Sequence, residues 1–323
     1  ACICAGFRPP MDSGNIRKLS FHAENKRAAG HAPAAGFNTM RLLLQWLCMA
    51  MPWLLHAQPG FNIAYDLGYA RNQLRKIIVV EDTVVACGIA RSDSLPNLQC
   101  LLLARFDSNG AVIDKRLICD SLQDALSVAV NWTDLIRTSD GGYAFTAGCV
   151  FRNNGMLVKL RSDLSVEFIQ EFIDSVNLVE FNNMVIELPD GYLLGGYVQN
   201  PNYQIEPFIR RVDAQGNSLW IQYYGDYDIS DLFAGSIKLN DSLYAFAGSY
   251  RINPDQLGGR GPWISCIDIH GDIVKEWRPQ NNVPFELLHG ISKISADKWL
   301  VWGVNTVSGP PFNHQFFLAS IDT

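Results

Sequence analysis

The chain is poor in the groups that most hydrolases, metalloproteins and nucleic-acid binders depend on. Of its six histidines in 323 residues, only His270, His289 and His314 lie beyond residue 57. A Ser-His-Asp triad therefore has few bases to draw on. His270 falls inside a turn, Asp268-Ile269-His270-Gly271, and reads as solvated; His289 lies near an apolar run and His314 in a Pro-rich connection. No G-x-S-x-G, H-E-x-x-H or EF-hand loop occurs. No C-x-x-C pair occurs either, which argues against zinc and thioredoxin chemistry. No motif calls for a cofactor or a metal. Basic charge is scarce: 26 Lys and Arg face 32 Asp and Glu, a net charge of −6 without a dense basic run, which argues against a nucleic-acid binder. No helical pattern longer than a few residues separates the apolar runs, so Rossmann and TIM-barrel folds fail. What is present is 48% hydrophobic residues, enough for a packed core.

The first 57 residues do not read as part of that core. Residues 1–39 have neither strand nor helix periodicity and read as a disordered or non-native upstream segment. Residues 40–57, "MRLLLQWLCMAMPWLLHA", have a positively charged start at Arg41, an apolar stretch from Leu42 to Leu55, and a small residue, Ala57, before Gln58. That is the pattern of a secretory signal peptide, too short and too interrupted by Pro52 for a membrane span. Without residues 1–57 the chain has 20 basic and 30 acidic residues. A net charge of −10 suits a soluble exported protein. The expected location is secreted or at the cell surface. Five cysteines remain, Cys87, Cys100, Cys119, Cys149 and Cys266. They read as small buried hydrophobes or as one disulfide with odd thiols left over, Cys87 with Cys100 being the pair expected from neighbouring strands.

Residues 58–323 repeat. "EDTVVACG", "SDGGYAFTAG", "PDGYLLGG", "NDSLYAFAG" and "ADKWLVWG" end at Gly88, Gly148, Gly196, Gly248 and Gly303. Each carries a turn aspartate, Asp82, Asp140, Asp190, Asp241 and Asp297, at spacings of 58, 50, 51 and 56. An apolar run precedes each turn. A second strand–turn–strand element follows each glycine, with Asp107, Asp213, Asp268 and Asp322 at one shared position and Arg161 replacing the aspartate in the second copy. In that copy Leu164 also replaces the glycine of D-x-x-G. A period near fifty with turn-punctuated strands indicates an all-β fold, a β-propeller of four-stranded blades with about five repeats visible. Asp140-Gly141-Gly142 then reads as a hairpin turn. The aspartates and glycines named here are structural turn residues on this reading, not catalytic or ligand-binding ones. Thr138 to Phe145 also matches an Asp-box, T-x-D-x-G-x-x-F, but Ser242 and Lys298 break it in sister copies.

"TSDGGYAFTAG", "RRVDAQGNSLWIQYYG" and "SIDT" resemble the propeller repeats of exported surface proteins that carry a C-terminal type IX secretion sorting domain. The resemblance covers residues 61–323 and is closest from Asp190 to Gly225. It implies architecture and export and does not imply an activity. No sorting domain follows Thr323, and the last repeat stops at "ASIDT" before a fourth strand. Together with a first residue other than Met, this favours a fragment of a larger ring. A competing expectation is that "GFNIAYDLG", residues 60–68, supplies the fourth strand of the last blade and closes five blades.

Two functions follow from this reading. The first is a non-enzymatic binding or scaffold module whose partner is an unknown protein or glycan. Its contact candidates are the loop at residues 251–263 and the residues Asn202, Tyr203, Trp263 and Phe312 in the long connections. The alternative is a polysaccharide-acting hydrolase or lyase, for which Asp226, Asp228 and Asp231 in "YGDYDISD" are candidates, though they read more simply as solvated loop acids. Carboxylates converging on one channel mouth would favour the alternative. Their absence would favour binding.

Overall fold

The computed structural model describes residues 67–69, 71–91, 98–119, 125–127, 134–150, 152–173, 177–225, 231–251, 260–278, 287–295, 298–307 and 313–322. The expectations for residues 1–39, 40–57 and 60–66 fall outside them, as do Asp226, Asp228, Asp297 and Phe312. Among the described residues no helix is long and apolar enough to cross a membrane.

The fold is a five-bladed β-propeller of antiparallel sheets. Blade 1 is β1 (Arg71–Val80), β2 (Thr83–Arg91), β3 (Gln99–Phe106) and β4 (Val112–Ile118). In blade 2, β5 (Leu126–Ser127) and β6 (Leu135–Arg137) share the inner position, followed by β7 (Tyr143–Cys149), β8 (Asn154–Leu160) and β9 (Val166–Phe172). Blade 3 is β10 (Val179–Leu188), β11 (Gly191–Gln199), β12 (Ile205–Asp213) and β13 (Ser218–Tyr223). Blade 4 is β14 (Leu232–Lys238), β15 (Leu243–Arg251), β16 (Arg260–Asp268) and β17 (Ile273–Trp277). Blade 5 has β18 (Leu287–Ser295), β19 (Lys298–Val307) and β20 (Asn313–Asp322).

Alternation along each strand explains how the blades stack. On β7, Tyr143, Phe145, Ala147 and Cys149 pack with Val85, Leu101 and Leu103 of blade 1. The intervening Ala144 packs with Val185, Leu194 and Val212 of blade 3. A strand between two neighbours thus buries both faces, which accounts for the unbroken burial of β7. Outer strands such as β17 have one edge in solvent and are mostly exposed. Further shared cores join blade 3 to blade 4 around Phe233 and Trp263, and blade 4 to blade 5 around Ile264 and Trp299.

The repeated glycine ending the second strand has a physical cause. The first strand carries a bulge between Leu74 and Lys76, Asn182 and Met184, Phe233 and Gly235, and Leu288 and Gly290. Opposite the first three stand Gly88, Gly196 and Gly248, where a Cβ would lie 2.0, 1.9 and 1.9 Å from the carbonyl oxygens of Gln73, Phe181 and Leu232. Gly303 stands opposite the fourth bulge. Gly148 is different: it pairs with Ser127, and among the described residues its Cβ would meet only the Asn154 oxygen, at 3.1 Å.

The aspartates close turns. Asp107 Oδ1 accepts from the amides of Asn109 and Ala111, at 2.9 and 2.7 Å. Asp213 and Asp268 repeat this pattern with Gln215 and Asn217, and with His270 and Asp272. The fourth turn residue takes a left-handed conformation: φ is 83° at Gly110, 87° at Gly216 and 96° at Gly271. In the second copy Leu164 holds that conformation at φ 62°, with its side chain buried in the core of blades 1 and 2. Asp190 and Asp241 lie in first-hairpin turns, paired with Arg211 and Lys238, both at 2.8 Å. Asp82 occupies the two-residue turn between β1 and β2. Asp322 ends β20, opposite Lys298.

Asp140 also closes its hairpin. It accepts from the Gly142 amide at 2.8 Å, the Thr138 hydroxyl at 2.6 Å and the Lys159 ammonium at 2.7 Å. Those bonds, Lys159 foremost, hold its carboxyl well below the usual range. Ser139 binds Glu187 of blade 3 through its amide and hydroxyl, so this turn also ties two blades together.

The expected Cys87–Cys100 pair does not form. Strands β2 and β3 are neighbours, as that expectation required, but Cys100 stands opposite Ala90 and Cys87 opposite Leu103. Cys100 instead bonds Cys119, one residue past β4, across the β3–β4 hairpin, with Cα atoms 4.5 Å apart. Cys87, Cys149 and Cys266 are free and buried.

Candidate functional site

Three carboxylates lie on the inner strands of consecutive blades, Glu180 and Asp231 at the strand starts and Asp134 deeper, opposite Thr146. Asp134 immediately precedes β6, Glu180 is the second residue of β10, and Asp231 immediately precedes β14. Each is committed differently. Asp134 pairs with Lys76 of blade 1 at 3.2 Å and accepts from the Val185 amide of blade 3 at 3.4 Å. It thereby joins three inner strands. Burial raises its carboxyl pKa, against the lowering influence of Lys76.

Glu180 and Arg210 form an ion pair at 2.8 Å, with side chains 1% and 10% exposed. The guanidinium lies over the Phe172 ring of blade 2, 4.5 Å from its centroid, and donates to the Ser218 hydroxyl at 3.1 Å. Two buried charges are tolerated here because they neutralise each other and the guanidinium face meets aromatic carbon.

Asp231 is not a solvated loop acid, contrary to the expectation for "YGDYDISD". It is 2% exposed and accepts from the Arg251 amide at 2.8 Å. A Cβ at Gly225 would stand 2.6 Å from its Oδ2, so the turn packs directly on the carboxylate.

Blade 3 adds a fourth carboxylate. Its register places Glu180 opposite Val198 and Val198 opposite Glu206. Cross-strand neighbours share a face, so Glu180 and Glu206 sit on one side of the sheet two strand spacings apart, about 9.6 Å between Cα atoms. Burial pushes the Glu206 carboxyl above its ordinary value. Beneath them lie Asn182 and Asn183, 2% and 0% exposed, whose four amide atoms have no hydrogen-bond partner within the described structure. A Cβ at Gly155 of blade 2 would fall 2.2 Å from the Asn182 Nδ2 and 3.1 Å from Glu180 Oε1. Gly155 thus gives these polar groups their room between blades 2 and 3.

Asn202 and Tyr203 belong to the β11–β12 turn, just before Glu206, and both are exposed. Trp263 does not join them. It lies inside β16, fully buried, with its ring 4.4 Å from Phe233 and its Nε1 donating to Glu276 at 2.8 Å. A buried strand position, not a connection, is the reason it presents no face to solvent. His270 is exposed in its turn, and His289 is half-buried on β18. Among the described residues no group of three or more His, Cys, Asp or Glu is placed to hold a metal ion.

Sequence reasoning missed Asp134, Glu180, Asn182, Asn183, Glu206 and Arg210. Their only signal was polarity at positions that alternation makes interior, as in "VEFNNMVIEL" and "IEPFIRRVD".

No family model matches the chain, and no curated protein matches it. Solved structures do. An α-L-arabinanase from Penicillium chrysogenum, complexed with arabinobiose, aligns at a TM-score of 0.48 and 9% identity, over 79% of this chain and 92% of that one. An α-L-arabinofuranosidase from Fusarium graminearum aligns at 0.45 and 8%, over 77% and 93%. An exo-β-1,3-galactanase from Phanerochaete chrysosporium aligns at 0.42 and 12%, over 68% of this chain and 53% of its own length. These are similarities of chain trace and assign no residue a role here.

Proposed function

We propose that this propeller acts on a glycan at the mouth where its inner strands begin, over blade 3. The observation that carries this is the gathering of Glu180, Glu206 and Asp231 at the starts of β10, β12 and β14, in unlike environments. This shifts the balance from the non-enzymatic reading to the polysaccharide-hydrolase reading. Glu206, whose carboxyl is pushed up by burial, is the group suited to give a proton to a glycosidic oxygen. Glu180, paired with Arg210, is the counterpart carboxylate on the same face. The two stand two strand spacings apart on that face, about 9.6 Å between Cα atoms. The reading rests on these residues; the likeness to glycan-acting propellers is too low to carry it.

The expected result is release of reducing ends from neutral polysaccharides, falling as pH rises through the raised Glu206 value because the proton donor is lost. Glu206→Gln should lower the rate by roughly a hundredfold or more while leaving glycan binding intact. Full activity in that variant would refute the assignment. The second reading, glycan binding without hydrolysis, is favoured by one observation: Glu180 and Asp231 are both buried and bonded to protein partners. Glycan retention with no reducing-end release in the unaltered protein would select it.

Export to the cell surface or beyond, by the type IX route that the repeats resemble, belongs to the same proposal. The Cys100–Cys119 disulfide supports it, since such bonds persist in oxidising compartments. Expression from Met40 in an exporting host should yield a chain starting at Gln58. Titration under denaturing conditions should then find three thiols, because Cys87, Cys149 and Cys266 are free. A cytoplasmic product that keeps residues 40–57, Cys48 among them, and shows six thiols would overturn export.

A further inference from the structure

The β11–β12 turn of blade 3 repeats the geometry of the D-x-x-G turns with an unusual residue in the glycine place. Asn200 Oδ1 accepts from the amides of Asn202 and Gln204, both at 3.0 Å, as Asp213 accepts from Gln215 and Asn217. The Tyr203 amide donates to the Asn200 carbonyl at 2.9 Å, as the Gly216 amide donates to Asp213 at 3.0 Å. Tyr203 therefore stands where Gly110, Gly216 and Gly271 stand, and it takes the same left-handed backbone, φ 63°. A bulky side chain is disfavoured there, whereas glycine is not.

Leu164 is the other exception, and its side chain explains it. Leu164 is 2% exposed within the core of blades 1 and 2, so apolar burial offsets the backbone cost. Tyr203 has no such offset, since it is 73% exposed. A strained backbone that presents a bare aromatic ring to solvent has no account in folding energetics. It has one in recognition, because strain of this kind persists where the side chain it presents is used. The ring projects three residues before Glu206, at the end of the blade where Glu180 and Asn182 lie.

We infer that Tyr203 is an aromatic platform that stacks on the carbon–hydrogen face of a sugar ring and sets affinity at this mouth. This rests on the glycan reading above and narrows it to hexopyranoses with largely equatorial hydroxyls, which leave a flat apolar face for an aromatic ring. Furanose rings offer no such face.

The test uses the full chain and an array of glucan, galactan, mannan and arabinan oligosaccharides. Tyr203→Gly should bind the recognised hexopyranose roughly tenfold more weakly, while melting at or slightly above the unaltered protein's temperature. Tyr203→Phe should bind as the unaltered protein does. Weaker binding with unchanged or greater stability is a combination that a structural role cannot produce. Equal binding by Tyr203→Gly, a lower melting temperature in that variant, or preference for arabinan would each overturn the inference with the glycan reading intact. No binding to any oligosaccharide by the unaltered protein would instead remove the glycan reading and the platform's ligand with it.

Discussion

Gly196→Val is expected to destabilise the propeller by about 4 kcal/mol, near the upper end of single-residue effects. For a fold of this size that is roughly 8–16 °C in melting temperature. The reason is contact, not backbone conformation: Gly196 does not have a positive φ. Its missing Cβ would sit 1.9 Å from the Phe181 carbonyl oxygen and 3.0 Å from the Asn182 Cα. Both atoms are main chain, at the bulge that offsets β10 against β11. They cannot withdraw without undoing the pairing around them. Alanine should be nearly as damaging, since the first carbon already collides. Gly148→Ala is the control: among the described residues its Cβ would meet a single carbonyl, at 3.1 Å, and its effect should stay within about 1 kcal/mol. Chemical denaturation of the three variants beside the parent decides the matter. A Gly196→Val protein within 1 kcal/mol of the parent, by the scale of ordinary surface substitutions, would mean the bulge is wrongly placed.

Arg210→Ala should have an effect of similar size, about 4 kcal/mol, because it leaves the Glu180 carboxylate buried without its cation. Glu180 is 1% exposed and cannot turn to water while β10 stays paired. The lost packing of the guanidinium on Phe172 adds to the damage. Arg210→Met with Glu180→Gln removes both charges and keeps most of the volume, and should recover more than half of the loss. Failure of the double variant to improve on Arg210→Ala would show that the stacking on Phe172, and not the charge pair, is what Arg210 supplies. Any glycan binding at the mouth should weaken along with stability.

Much of the architecture could be read from residue order, because it follows from local rules. Alternating apolar residues between turn aspartates near a period of fifty have few ways to bury both faces, and stacked blades are one of them. Asp107, Asp213 and Asp268 bond amides two and four residues away, so their role is visible wherever D-x-x-G is visible. Leu164 and Tyr203 show the limit of that rule. The turn survives with the glycine replaced, and only the surroundings tell that one side chain is buried and the other bare.

Register and inter-blade contact belonged to tertiary structure alone. The cysteine expectation failed by three residues along β2, since which cross-strand pair meets depends on where the hairpins begin, and one cysteine cannot report that. Trp263 was expected at a surface connection because its strand starts just after a long loop; pairing across β15 and β16 carries it into the core. The carboxylates at the mouth were illegible for the same reason. Glu180 and Glu206 are 26 residues apart in the chain, and only the β10–β11–β12 register sets them on one face. Composition, turn chemistry and alternation act over a few residues and determined the blades. The meeting of Lys76 with Asp134 and of Arg210 with Phe172 depends on one blade packing against the next, through contacts between residues far apart in the chain that no local pattern encodes.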